Sequence, residues 1–267
     1  MPPIRFSIID YLNALPLNMA FKDRLFENKA DLFFDYPSQC ADNLATGKAD
    51  VGLISSIEYQ RIPNLLVIPE IAIAAREEVR SVLILSRKPL GEARVVALDR
   101  FSRSSVALLR ILLHRRYGLR PRFVTMSPNA ETMLAGADAA LIIGDAALDL
   151  PDGDFMRMDL ASEWFVETGL PFVFAFWAMR DGPYMRSRAG EITAMLSQAK
   201  AYGLSQIEKR MAEIRTRWPL SREDILAYFS KNIHYDLGKD EKESLALFFQ
   251  YAAEAHLIPE AVPLRFA

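Results

Sequence analysis

Short apolar runs alternate with amphipathic stretches through the first two thirds of the chain. Ile4–Ile9, Leu32–Tyr36, Val51–Ile54, Ser81–Leu85, Val95–Leu98, Phe123–Val124 and Ala139–Ile143 are rich in Val, Ile, Leu and Phe, which is how buried strands read. Strands that alternate with helical spacing predict an α/β fold with mostly parallel sheets. After Pro183 the pattern changes: Gly190–Tyr202, Gln206–Trp218, Arg222–Lys231 and Asp240–Ala255 show helical periodicity with charged outer faces, separated by Gly203, Pro219 and Gly238. The C-terminal third is predicted to be helical.

Two nearly unbroken apolar segments, SVLILS (81–86) and FVFAFWAM (172–179), flank a stretch with its own strands and helices. That arrangement predicts an inserted domain: lobe I from residues 1–84 plus 176–267, lobe II from 85–175, both crossings made by buried strands. A single three-layer α/β domain is the alternative. There are no repeats, low-complexity tracts or Gly/Ser linkers, so the lobes should be closely joined.

The 267 residues suffice for one large domain or two compact lobes. With 51% hydrophobic and 25% charged residues the composition is that of an ordinary globular protein. The 32 Lys and Arg against 34 Asp and Glu leave a formal charge of −2. Such a balance has no long-range field to gather a polyanion, which disfavours nucleic acid and anionic membrane as partners. No apolar stretch reaches the about 20 residues of a membrane span. The N-terminus turns strand-like at Ile4 and meets Asp10 before a signal-length apolar run forms, so a cytoplasmic location is expected. Cys40 is alone; it can form no intrachain disulfide and is expected as a small core group.

The candidate chemistry lies at four strand ends. Tyr11-Leu12-Asn13 follows the first strand and precedes Pro16; Asn13 can cap a helix and also contact a ligand, since free N–H groups at a helix start favour an anion. Ser55-Ser56 ends another strand, a commonplace helix start when taken alone. Ser102-Arg103-Ser104-Ser105 opens a helix after Val95–Leu98. No single cap uses three hydroxyls, so these suit a carboxylate or phosphate, while Arg103 is expected to point to solvent. Gly144-Asp145 ends Ala139–Ile143, where Asp145 either caps the next turn or acts catalytically. His114, His234 and His256 are all expected in helical segments, and there is no Cys pair, HExxH, Walker, GxGxxG or G-x-S-x-G sequence. A metal site is therefore not expected, nor is any cofactor. Neutral donors from both lobes suit a small acid.

In order and spacing, YLNALPL (11–17), GLISSIEY (52–59), RSVLILS (80–86), VALDRFSRSSVALL (96–109), DAALIIGDAAL (138–148), EWFVETGLPFVFAFW (163–177) and IHYDLG (233–238) resemble the chorismate dehydratase family of the futalosine route to menaquinone. The resemblance covers nearly the whole chain and implies an α/β, two-lobed type 2 periplasmic-binding-protein-like fold with a central ligand cleft. It implies dehydration of chorismate to 3-[(1-carboxyvinyl)oxy]benzoate. Carried onto this sequence, it sets Tyr11, Asn13, Ser55 and Ser56 on one wall, Ser81 at the hinge, and Ser102, Ser104, Ser105, Gly144 and Asp145 on the other. The sequence departs from the family pattern at Ala75–Arg80, where a glycine commonly precedes the next strand, and at Ser104, where threonine is common. Asn13 and Asp145 are the catalytic candidates, with a carboxylate of the substrate as the alternative base. A cytoplasmic small-acid binding or sensing protein and the related 1,4-dihydroxy-6-naphthoate synthase are the competing readings.

Overall fold

A computed structural model describes residues 2–267. In chain order the elements are β1 (Ile4–Ile9), α1 (Leu15–Lys22), β2 (Ala30–Asp35), α2 (Pro37–Ala45), β3 (Val51–Ser55), β4 (Leu65–Ala75) and β5 (Val82–Ser86). Then come β6 (Val95–Asp99), α3 (Ser104–Tyr117), β7 (Arg122–Met126), α4 (Ala130–Gly136), β8 (Ala139–Ile143), α5 (Asp145–Leu148), β9 (Met156–Asp159) and α6 (Leu160–Thr168). The remainder is β10 (Phe172–Arg180) followed by α7 (Pro183–Ser187), α8 (Ala189–Gln206), α9 (Met211–Arg217), α10 (Arg222–Ala227) and α11 (Lys239–Glu254).

The strands form two sheets, ordered β2-β1-β3-β10-β4 and β7-β6-β8-β5-β9. In each, three strands run parallel, β2-β1-β3 and β7-β6-β8, and the next strand runs antiparallel to the third. The sheets are thus mixed rather than mostly parallel. The repetition β-α-β-α-β has a functional consequence: β1 and β6 hold equivalent places, as do β3 and β8, and the helices after them start at equivalent strand ends. In open α/β sheets those carboxyl ends are where ligands bind.

Every residue of β3, β5 and β8 is buried, and so is β10 up to Met179, which is why these segments read so clearly as apolar runs. Two strands escape that reading. In β4, Pro69-Glu70 interrupts the run; Glu70 has φ +67°, and the pairing jumps from Ala178↔Val67 to Phe176↔Ala72. A bulge on an edge strand accommodates the proline that a central strand would reject. The other, β9, is a four-residue edge strand, partly exposed along its length.

The chain passes between the sheets at residues 76–81 and 169–171, so β5 lies wholly in the second sheet and β10 wholly in the first. The expected boundaries at 84/85 and 175/176 fall inside these strands. The crossings are loops, each leading into a buried strand, and the first is pinned: the Asp159 carboxylate accepts N–H bonds from Val79 and Arg80 at 3.0 and 2.7 Å, and Asn232 donates to the Glu78 carbonyl at 3.0 Å.

The C-terminal third is helical, with departures. The predicted helix 222–231 changes to a π turn at Tyr228–Asn232, and His234 pairs as a β-bridge with Ala74. His256 follows α11 with φ +56°. Only His114 of the three histidines is helical. Helix α8 lies on α1 so closely that a Cβ added to Gly203 would sit 1.8 Å from the Pro16 carbonyl oxygen. Helix α11 packs on β10 and α3 and reaches α6, where Trp164 Nε1 donates to Ser244 Oγ at 2.9 Å. It therefore ties the two sheets together from behind. Gly203→Ala should cost about 1–3 kcal/mol through overpacking, seen as a lower urea midpoint at unchanged slope; an unchanged midpoint would show that the helices have room to separate.

Candidate functional site

The four strand ends meet. Between the sheets lies a narrow cleft with a cavity volume of about 40 Å3, lined by Tyr11, Asn13, Ser55, Ser81, Ser102, Arg103, Ser104, Ser105 and Gly144 among the polar and backbone contributors. Ile9, Ile73, Val79, Val82, Ile143 and Phe174 supply its apolar surface. A flat hydrophobic ring with acidic substituents is the kind of ligand such a lining suits.

The lobes touch across the cleft. Ser104 Oγ lies 3.0 Å from Ser56 Oγ and accepts the Ile57 N–H at 3.2 Å, while Ser56 Oγ lies 2.7 Å from the Val173 carbonyl, to which it donates. The Leu12 N–H donates to Asp145 Oδ1 at 2.8 Å, and Tyr36 stacks on Phe101 with centroids 4.1 Å apart. These contacts hold the two sheets together along the cleft.

The expected site residues divide accordingly. Ser56 and Ser104 spend their hydroxyls on the contact between lobes. Ser55, Ser102 and Ser105 form no side-chain bond among the described residues, and Ser102 Oγ is buried without a partner. Asn13 does not cap α1, whose N-cap is Ala14 with no side-chain bond; its buried Oδ1 is unpartnered. No serine caps α3 either, its N-cap being Arg103. Free N–H groups at the start of this 14-residue helix therefore face the cleft together with spare hydroxyls. Gly144 has φ +65°, and a Cβ there would come 2.8 Å from the Tyr11 ring, so glycine is required both by the backbone and by the neighbouring phenol.

Arg103 borders the cleft, and its side chain is also 38% exposed, in line with the solvent-facing expectation; its buried Nε is unpartnered and its guanidinium is 3.9 Å from the exposed Asp42. Its place among three serines at a helix start was the available signal. Asp145 is not among the residues that line the cleft; it lines an adjoining pocket with Asp10, Asp35 and Arg217 that shares Tyr11 with the cleft. Burial raises its carboxyl above the usual range, against the Leu12 N–H, which lowers it.

A carboxylate that the sequence reading did not single out, Asp99, is 1% exposed at the end of β6. Its Oδ1 accepts the Phe101 N–H at 2.8 Å and its Oδ2 has no partner. Desolvation pushes it up to about 6 despite the N–H groups of Phe101 and Ile143. The Tyr11 phenol is raised first by burial and then by Asp99 and Asp145, so it stays a neutral donor. Neither aspartate lines the cleft, whose ionisable groups are Tyr11 and Arg103. Cys40 is buried in α2, its thiol pushed up to about 12 by burial. No histidine reaches the cleft; His234 Nε2 lies 3.0 Å from Glu241 Oε1. Among the described residues no three His, Cys, Asp or Glu side chains are arranged to hold a metal ion, and no helix is long and apolar enough to cross a membrane.

Two sheets joined by two crossings, with a cleft at their strand ends, define the class of the periplasmic-binding-protein-like α/β proteins. The periplasmic aliphatic sulphonate-binding protein of Escherichia coli superposes with a TM-score of 0.68 at 20% identity, covering 98% of this chain and 90% of that one. A protein of Archaeoglobus fulgidus gives a TM-score of 0.77 at 13% identity, covering 96% and 98%. Within that class, the chain belongs to the menaquinone biosynthesis family, whose sequence pattern matches residues 4–254. A chorismate dehydratase of Thermus thermophilus is 28% identical over 279 aligned positions, spanning 98% of each chain.

The raised Asp99 carboxyl has a consequence for stability. Its folded value lies above the unfolded one, so the native state holds the proton more tightly; stability is greatest below about pH 4 as far as this group goes, and is lost as pH rises through about 6. Asp99→Asn should remove a loss on the order of 2–3 kcal/mol between those limits. Urea unfolding of both proteins at several pH values reads the difference; parallel pH profiles would show that Asp99 does not carry it.

Proposed function

We propose that this protein dehydrates chorismate to 3-[(1-carboxyvinyl)oxy]benzoate, an early step of menaquinone biosynthesis by the futalosine route, in the cytoplasm. The observation that carries the reading is the end-to-end match to a chorismate dehydratase, 98% of both chains, in a protein of the menaquinone biosynthesis family. The cleft supports it. Chorismate carries two carboxylates on a hydrophobic ring, and the cleft offers two groups of unspent donors around an apolar surface. The start of α3, with Ser102, Ser105 and Arg103, is the seat for one carboxylate; Asn13 and Ser55 serve the other.

In the reaction a base takes the proton from the ring carbon that bears the enolpyruvyl ether. The C–H electron pair becomes ring π density, the neighbouring C–O bond breaks, and the hydroxyl leaves as water after gaining a proton. The ring becomes aromatic, which drives the step, so the protein's task is chiefly orientation and proton delivery. Orientation can contribute about 7–11 kcal/mol in favourable cases. Asp145 is absent from the cleft lining and one of its oxygens is taken by the Leu12 N–H, which favours a carboxylate of the substrate as base, with Asn13 holding its pose and the neutral Tyr11 and serine donors serving the leaving oxygen. The two lobes, which we assign to the chain on either side of the crossings at 76–81 and 169–171, part to admit substrate and close to exclude water.

Incubating the purified protein with chorismate, without added metal or cofactor, should yield a product lighter by one water in the mass spectrum. Absence of that product, with chorismate binding retained, would favour the small-acid binding reading. Arg103→Gln should lower kcat/KM by about 10- to 100-fold, the loss of one charged hydrogen bond of about 1.5–3 kcal/mol. Asn13→Ala should abolish measurable turnover, whereas Asp145→Asn should keep turnover within about tenfold of native. Loss of turnover in Asp145→Asn as complete as in Asn13→Ala would restore Asp145 as the base.

A further inference from the structure

The helical C-terminal third adds only isolated bridges to the first sheet, at Ala74 and Val67, yet one of its side chains ends on a cleft residue. Tyr228 begins the π turn Tyr228–Asn232, a widened helical turn of the kind that recurs at functional sites. Its side chain is 1% exposed, and its hydroxyl donates to Ser81 Oγ at 2.8 Å. Ser81 lines the cleft. It is anchored through its backbone as well, because its carbonyl accepts the Gly144 N–H at 2.8 Å.

A serine hydroxyl has one proton and two lone pairs. When a buried phenol occupies a lone pair, the serine proton must turn elsewhere, and among the described residues Ser81 Oγ has no protein acceptor of its own. The Tyr228 hydroxyl has no other acceptor among the described residues, so its own proton goes to Ser81. We infer that Tyr228 is a positioning residue that fixes the Ser81 hydroxyl as a hydrogen-bond donor into the cleft, directed at an acceptor oxygen of the bound acid. The inference rests on the proposed reaction for its substrate, and it gives the C-terminal segment a part in the site. The same segment braces the opposite wall, where the buried Tyr235 hydroxyl donates to the Asn13 carbonyl at 2.7 Å.

Removing only the phenolic oxygen tests this. Tyr228→Phe should lower kcat/KM for chorismate about tenfold, the effect of misdirecting one donor, while circular dichroism and gel filtration remain native. In a Ser81→Ala background the same replacement should change kcat/KM by less than about twofold, because the group it acts through is gone. A purely structural role would cost the same factor in both backgrounds, and that outcome overturns the inference, as does native kcat/KM in Tyr228→Phe. Should Ser81→Ala not fold, Ser81→Cys supplies the background, its thiol being a weak acceptor. Native protein assayed in parallel separates the two levels: no turnover by native protein refutes the reaction, whereas turnover with equal losses in both backgrounds refutes only the role of Tyr228.

Discussion

The cleft depends on one constraint: backbone and side-chain polar groups at the carboxyl ends of β1, β3, β6 and β8 are brought into a narrow slot where water is scarce. Buried donors and acceptors are costly unless paired. The structure meets that demand in two ways. Some groups pair across the slot, as Ser104 does with Ser56 and Ile57 and as Asp145 does with Leu12. Others, Asn13 Oδ1, Ser102 Oγ and Arg103 Nε, stay unpartnered. The first set holds the lobes together and the second is what a ligand can satisfy. Contact between the sheets and polar groups left open to a ligand are therefore two uses of the same strand ends.

The helices behind the sheets make that division possible. An unpartnered polar atom persists only where its surroundings prevent it from collapsing onto a neighbour. Here α8 fixes α1 through backbone contact at Gly203, Tyr235 holds the Asn13 carbonyl, and Tyr228 holds Ser81. Helix α11 spans β10, α3 and α6, so it stiffens both walls at once. A two-lobed protein without this support would have a looser slot at the same strand ends.

Much of the architecture was legible because fully buried strands have to be apolar throughout. That physical demand writes β3, β5, β8 and β10 directly into the sequence. Where burial is partial the demand lapses: β9 is a short edge strand, and β4 carries Pro69-Glu70 in a bulge, so neither shows an unbroken run. The strand-end motifs were legible too, since hydroxyl and amide residues at helix starts stand out. Their roles were not. Which way Arg103 and Asp145 point depends on what the opposite lobe presents, and a chain read in one dimension has no opposite lobe. Asn13 and Ser104 look like caps in the sequence, yet neither caps a helix. The buried Asp99 looked like the last residue of a strand, because desolvation is a property of the packed fold.

The arrangement of charge bears on where the base comes from. A dianionic substrate beside an ionised protein carboxylate would be repelled: two like charges about 5 Å apart cost about 3 kcal/mol at an effective dielectric constant of 20. In the structure neither nearby aspartate is among the residues that line the cleft, although both act on the Tyr11 phenol that does. Asp145 lines a neighbouring pocket with Asp10, Asp35, Arg217 and Tyr11, and Asp99 lines another with Ser102 and Arg103. Arg103 is the cleft's cationic side chain. On the proposed reading, the cleft lining offers a dianion one cationic side chain and contains no carboxylate. For the proposed dehydration, the proton acceptor with the least electrostatic cost is then one of the substrate's own carboxylates, brought into the cleft as part of the charge the site was shaped to receive.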